Sequence, residues 1–216
     1  MNILLMGLPG AGKGTQSEMI ANDYDMIHIS TGDIFRKAIK DETPLGLEAK
    51  RYTDNGDLVP DDITNGLVKE RLAEADVQAN GFLLDGYPRT IAQAEALDAN
   101  LADIDSNLDH VIYIEVDADI LKERLSGRIM CSNCGATYHK VYNPPKVSGV
   151  CDVCGHTEFH QREDDTPEKV GHRIQLQMDS IRPILEHYEA ANLLTKINGD
   201  QAIETVYREI RNILGE

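Results

Sequence analysis

Asn2-Ile3-Leu4-Leu5-Met6-Gly7-Leu8-Pro9-Gly10-Ala11-Gly12-Lys13-Gly14-Thr15 decides the fold. Residues 2–6 are a short apolar run stopped by glycine, and residues 13–22 have helix-forming content. Strand, glycine-rich loop, lysine and helix in that order form the context in which a P-loop is credible. Its glycines let backbone N–H groups converge on phosphate oxygens, the helix N-terminus adds its dipole, and Lys13 adds a point charge. The general pattern has Ser or Thr directly after the lysine. Here Gly14 stands there and Thr15 follows, so the usual place of the hydroxyl that ligates Mg²⁺ is filled by glycine.

Outward from this stretch, short apolar runs alternate with helical patterns, the signature of an α/β chain with a parallel sheet. Further strands are expected at residues 26–29, 82–85, 110–116 and 193–197, making five with the first. Ser30 to Asp33 offer caps for a helix to about residue 40, Pro44 opens a helix to about 53, and Asp61-Asp62 can cap one to about 75. Helices are also expected over residues 90–101, 166–191 and 201–214, the second opening with Thr166-Pro167-Glu168. Between about 128 and 161 the pattern changes: all four cysteines, Pro144-Pro145 and three of the seven histidines fall there with little helical periodicity. A second small unit is inserted at this point, and no internal repeat or low-complexity tract accompanies it.

The 216 residues suit one compact domain carrying an insertion, and 41% hydrophobic with 27% charged content is ordinary for a globular chain. With 37 Asp and Glu against 21 Lys and Arg the net charge is −16, which argues against a general nucleic-acid or anionic-membrane surface. Residues 90–120 hold eight acids and no Lys or Arg, whereas residues 128–162 hold four bases and two acids. The acidic stretch reads as a solvated face. No apolar run approaches the roughly 20 residues of a membrane span, and residues 1–6 lack a basic start, so a cytoplasmic protein without a signal peptide is expected.

Cys131-x₂-Cys134, a gap of 16, and Cys151-x₂-Cys154 have the spacing of a tetrahedral zinc site closed by four thiolates. Each pair is followed by glycine, Gly135 and Gly155, which lets the chain turn tightly around sulfur. Four ligands leave no open coordination position, so the zinc is read as structural. Disulfides are the rival, disfavoured in a reducing compartment. His139, His156 and His160 read as solvated; were only three cysteines to bind, one of these would be the fourth ligand.

Gly-x-Pro-Gly-x-Gly-Lys-Gly-Thr at residues 7–15 resembles the adenylate kinase family. The resemblance continues at Thr31-Gly32-Asp33 with Arg36, at residues 82–89 (Phe-Leu-Leu-Asp-Gly-Tyr-Pro-Arg) with Gln93, at Arg124 and Arg128, and at Arg162-Glu163-Asp164-Asp165 with Arg173. It implies an α/β P-loop kinase with a central parallel five-stranded sheet flanked by helices, plus a zinc-ribbon-like lid. The implied core is 1–29, 61–127 and 163–216, the AMP-binding unit 30–60 and the lid 128–162. The implied reaction is reversible phosphoryl transfer from MgATP to AMP, giving two ADP, in a monomer.

Under that resemblance Gly10, Ala11, Gly12, Lys13, Gly14 and Thr15 hold the ATP phosphates, with Arg124, Thr137, Tyr138 and the backbone around Gln201 on the ATP side. Arg128, Arg162 and Arg173 close over the transferring group, the first also on the ATP side and the last two also on the AMP side. Arg36 and Arg89 take the AMP phosphate; Thr31, Asp57, Leu58, Val59, Gly86, Tyr87 and Pro88 line that site, and the Gln93 carboxamide suits the edge of adenine. Asp85 orients a water of the Mg²⁺ shell. Arginine fits such work because its planar fork donates in pairs to phosphate and stays charged. Two other readings are a kinase for UMP, CMP or GMP, favoured if Gln93 does not read adenine, and a nucleic-acid-binding zinc ribbon, against which the weak +2 of residues 128–162 argues.

Overall fold

The computed structural model describes residues 1–215 apart from the Pro167 side chain; Glu216, the last residue of the expected core segment, lies outside the described residues. In chain order the elements are β1 (Asn2–Met6), α1 (Lys13–Asp23), β2 (Ile27–Ser30), α2 (Thr31–Lys40), α3 (Pro44–Thr53), α4 (Asp61–Leu72), α5 (Ala75–Asn80), β3 (Phe82–Asp85) and α6 (Ile91–Asp103). There follow β4 (His110–Glu115), α7 (Ala118–Ser126), β5 (Arg128–Cys131), β6 (Thr137–His139), β7 (Phe159–His160), α8 (Pro167–Ala190), β8 (Leu194–Asn198) and α9 (Ile203–Ile213).

The five expected strands form one sheet in the order β2-β3-β1-β4-β8, every neighbouring pair parallel. β1 is central, and its alternation decides both faces of the core. Ile3 and Leu5 pack with Ile20 of α1, Leu121 and Leu125 of α7, and Val206 and Ile210 of α9. Leu4 and Met6 face the other way, against Val68 and Leu72 of α4 and Ala94, Leu97 and Leu101 of α6. The long α8 serves both faces, with Val170 and Ile174 in the first cluster and Ile184 and Tyr188 in the second. Burial on both faces is why these strands read as continuous apolar runs. Among the described residues no helix is long and apolar enough to cross a membrane.

Several helix starts obey the capping signals. Ser30 Oγ accepts from the Asp33 amide, Thr43 Oγ1 from that of Gly46, and Thr90 Oγ1 from that of Gln93. Three details differ from the expectation. The helix from Asp61 ends at Leu72 and a separate short helix, α5, runs to Asn80. Asp61 does not cap its own helix; its carboxylate accepts instead from Thr90 Oγ1 (2.9 Å) and Gln93 Nε2 (2.7 Å), tying α4 to α6. α7 was not expected at all.

Two segments carry small cores of their own. Phe35, Ala49 and Val59 cluster within residues 30–60. Cys131, Tyr138 and Cys151 cluster with Ile129, Ala136 and Phe159 inside a three-stranded antiparallel sheet ordered β6-β5-β7.

Candidate active site

The loop from Gly7 to Gly12 leaves the C-terminal end of β1 and wraps Lys13. Gly10 and Gly12 have φ of 86° and 95°, which a side chain tolerates poorly. Lys13 Nζ donates to the Gly7 carbonyl at 2.9 Å and the Leu8 carbonyl at 3.3 Å, so the ammonium is held at the loop's centre. Burial pushes its pKa down to about 8, and Arg89, Arg128 and Arg173 add to that against the opposing pull of Asp85. Parallel register sets Asp85, the last residue of β3, beside Leu5 of β1. Asp85 Oδ1 is buried and, among the described residues, has no hydrogen-bond partner. A buried, unpartnered carboxylate oxygen near a phosphate loop fits a hydrated Mg²⁺.

Six cations of the expected site are brought within electrostatic reach of one another: Lys13, Arg36, Arg89, Arg128, Arg162 and Arg173. Burial lowers the pKa of Arg36 and Arg89, and the neighbouring guanidinium of Arg162 lowers both further. Burial, then Arg162 and Arg128, pull Arg173 down to about 10 against Asp164 and Asp165. Such mutual repulsion is a positive well waiting for an anion.

Two adjacent carboxylates keep the cluster together. Asp165, whose side chain is fully buried, accepts from Arg128 Nε at 2.7 Å and Nη2 at 2.5 Å, and from Arg173 Nη1 at 3.2 Å. The Asp164 carboxylate accepts from Arg162 Nε at 2.8 Å and Nη2 at 2.5 Å and pairs electrostatically with Arg173 Nη1 at 2.8 Å, while its carbonyl accepts from the same Nη1 at 2.9 Å. Burial alone would raise the Asp164 pKa, but Arg162 and Arg173 outweigh it and hold the carboxyl down near 2. Arg36 pairs with Asp33, and Arg89 Nε donates to the Gly86 carbonyl at 2.8 Å. No task for the acids of this Arg-Glu-Asp-Asp motif is given by the resemblance; three consecutive acids directly after Arg162 were the available signal.

The remaining expected residues divide. Thr31 Oγ1 donates to the Gly86 carbonyl at 2.9 Å, which joins α2 to the turn after β3. Tyr87 is buried, its hydroxyl bonded to Asn65 and to the Gln93 carbonyl. Gln93 is also buried: Oε1 accepts from the Arg89 amide at 2.8 Å, and Nε2 donates to Asp61. Gly86, Tyr87, Pro88, Arg89 and Lys13 line one cavity with Gln177, Ser180 and Ile184 of α8. Asp57 Oδ1 lies 2.9 Å from His172 Nε2, pinning residues 30–60 to α8. Leu58 follows it, and Val59 belongs to the small core beside α2 and α3.

Arg124 stands apart from the cluster, donating to the Gly199 carbonyl at 3.0 Å and to Asp200 at 3.4 Å. Gln201 lies on the same turn, its amide donating to the Asn198 carbonyl and to Glu209. Thr137 is exposed at the start of β6, whereas the Tyr138 side chain is buried against Phe159 and the cysteines.

The four Sγ atoms lie within 4.8 Å of one another, with Cys131 to Cys154 at 3.6 Å and Cys134 to Cys151 at 3.5 Å. A disulfide requires about 2.05 Å, while a tetrahedron of ~2.3 Å Zn–S bonds has edges of about 3.8 Å. The donor set and spacing fit zinc. None of the three nearby histidines joins the cluster: His156 sits 3.8 Å from Glu158 and His160 bonds Ser132, both near the surface. His139 is not solvated as expected; it is half-buried, and its Nδ1 accepts from the Val141 and Tyr142 amides.

A P-loop on the central strand of a parallel sheet, facing a ring of arginines, defines a P-loop phosphotransferase that acts on nucleotides. Residues 5–193 match the family model described as adenylate kinase. The chain is 56% identical over 214 residues to the adenylate kinase of Limosilactobacillus reuteri, covering 99% of this chain and 98% of the relative. It is 59% identical over 215 residues to that of a Geobacillus strain (100% and 99% covered), and 56% over 216 residues to that of Enterococcus faecalis, both chains covered in full. The chain belongs to the adenylate kinase family.

Proposed function

We propose that the chain is an ATP:AMP phosphotransferase, a nucleoside monophosphate kinase that reversibly converts MgATP and AMP into two ADP. The observation that carries this reading is the set of six mutually repelling cations around the P-loop. Phosphoryl transfer spreads charge over oxygens in line with the leaving group, so catalysis consists of positioning and electrostatic stabilisation.

In this reading the loop amides of Gly10, Ala11, Gly12, Gly14 and Thr15, with Lys13, hold the ATP phosphates. Arg36 and Arg89 hold the AMP phosphate. Arg128, Arg162 and Arg173 converge on the transferring group, exchanging part of their bonding to Asp164 and Asp165 for phosphate oxygens. Asp85 would hold Mg²⁺ through water, and the ion would neutralise developing charge on the phosphates. Thr31, residues 57–59, residues 86–88 and Gln93 form the AMP nucleoside site; the bonds to Asp61 and the Arg89 amide fix which way the Gln93 carboxamide points. Arg124, Thr137, the Tyr138 main chain and the turn at Gln201 flank the ATP base.

Residues 30–60 and 128–162 act as the two mobile units on a core of 1–29, 61–127 and 163–216, a division supported by their separate small cores. The second is a zinc-bearing lid, which on closing excludes water from the phosphoryl group. About 35 residues cannot build a sufficient core, so metal binding would supply their folding energy. The unbridged thiols fit a reducing cytoplasm, and the family resemblance suggests a monomer. The test is ADP formation with AMP, UMP, CMP and GMP in turn, using wild type and Arg89→Ala. AMP is expected to be the best acceptor, with the variant losing orders of magnitude in kcat/KM; preference for another monophosphate would overturn the substrate assignment.

A further inference from the structure

We propose, on the reading of the four cysteines as a zinc site, that the Tyr138 hydroxyl is a positioning donor that holds the Cys151 thiolate for the metal. Tyr138 Oη lies 3.3 Å from Cys151 Sγ and accepts the Asp152 amide hydrogen at 2.8 Å. An amide N–H only donates, so it fills a lone pair on the phenol oxygen. The single phenol hydrogen is then left for sulfur.

The surroundings make this bond hard to replace. Cys134 and Cys154 are exposed, so water reaches their sulfurs, whereas Cys151 is 2% and Tyr138 6% exposed. Removing the hydroxyl takes one donor from the buried Cys151 sulfur, which keeps the Val153 and Cys154 amides, and leaves the Asp152 amide without this acceptor. The ring has little freedom to turn away: it meets Phe159 edge-on, with centroids 5.6 Å apart at 78°, and its main chain is fixed opposite Ile129 in the β5–β6 ladder. Partners of this kind orient metal ligands and offset the negative charge that four thiolates place around one divalent ion. The bond also ties the turn carrying the second cysteine pair to β6.

The test loads metal-free wild type, Tyr138→Phe and Phe159→Leu with Zn²⁺ or Co²⁺, and measures affinity by chelator competition and the thiolate-to-cobalt charge-transfer band. Phe159→Leu disturbs the packing but keeps the hydroxyl. For Tyr138→Phe the expected results are about tenfold weaker binding, a charge-transfer band moved to lower energy because sulfur has lost a hydrogen bond, and retained tetrahedral d–d bands. Phe159→Leu is expected to leave the charge-transfer band in place. Unchanged affinity and band in Tyr138→Phe would overturn the proposal while leaving the zinc lid standing. Weaker binding with an unmoved band, or the same band movement in Phe159→Leu, would also overturn it by making packing the cause. Failure of wild type to bind one metal ion would remove the zinc reading and this proposal together.

Discussion

Replacing Asp165 by asparagine removes one charge without changing shape, in the place where the cation cluster is most tightly bound. The carboxylate is fully buried and accepts three hydrogen bonds, two from Arg128 and one from Arg173, whose side chains are only 18% and 10% exposed. Asparagine keeps one acceptor and turns an amide N–H₂ toward a guanidinium donor, so at least one of these bonds becomes a donor facing a donor. Breaking a buried pair by removing one partner costs about 3–5 kcal/mol. Because Arg128 retains some access to water, the lower end applies, about 3 kcal/mol. For a chain of this length that corresponds to a fall in Tm of roughly 6–12 °C. The assay is calorimetric melting of wild type and variant at neutral pH, repeated with saturating tripolyphosphate. The added anion is expected to recover part of the loss, because its oxygens replace the missing carboxylate between Arg128 and Arg173. A fall below about 2 °C would refute the claim that Asp165 neutralises the cluster.

Other expectations rest on the same geometry. Asp164 is held near 2 when folded, below the ordinary carboxylate value of 3.8, so its contribution is present above 3.8 and lost as pH falls toward 2. It is worth about 2 kcal/mol at neutral pH, and Asp164→Asn is expected to flatten the acid limb of a stability-against-pH curve; an unaltered limb would contradict the assignment. Lys13 has its pKa lowered to about 8, so the folded state pays a penalty for the charged lysine that is relieved as pH rises from 8 toward 10.5. Bound phosphate restores the charged form, and titrating ATP at pH 8.5 in buffers of different ionisation enthalpy is expected to show proton uptake that Lys13→Ala lacks. Chelating the metal is expected to lower the melting temperature far more than the specific activity of protein that remains folded, and unchanged melting of metal-free protein would sink the zinc reading.

Much of this molecule was legible in one strand. The alternation of Ile3 and Leu5 against Leu4 and Met6 specifies two buried faces, and the glycine and lysine pattern after it locates the phosphate site. Ser30 was legible as a helix cap because a side-chain oxygen before a helix has one obvious use; Thr43 and Thr90 cap in the same way, at starts marked in the sequence only by Pro44 and by the helical pattern from residue 90. The order β2-β3-β1-β4-β8 was not, since pairing between distant segments leaves no local trace. α7 was missed at the end of the acidic run, although Asp117 caps it and Leu121 and Leu125 mark its buried stripe at helical spacing. Asp61 was read as a cap and proved a partner for Gln93, a choice settled only by the approach of α6. The packing of the Tyr138 ring into the four-cysteine unit was not legible, because it depends on β-strand register.

On the proposed function the cationic cleft passes a phosphoryl group directly from MgATP to AMP, with water shut out. Following γ-labelled ATP in the presence of AMP tests it most directly. The label is expected in the β-phosphate of ADP, one labelled ADP for each ATP consumed, with a trace at most in inorganic phosphate. Label accumulating chiefly as inorganic phosphate, or turnover indifferent to AMP, would contradict it.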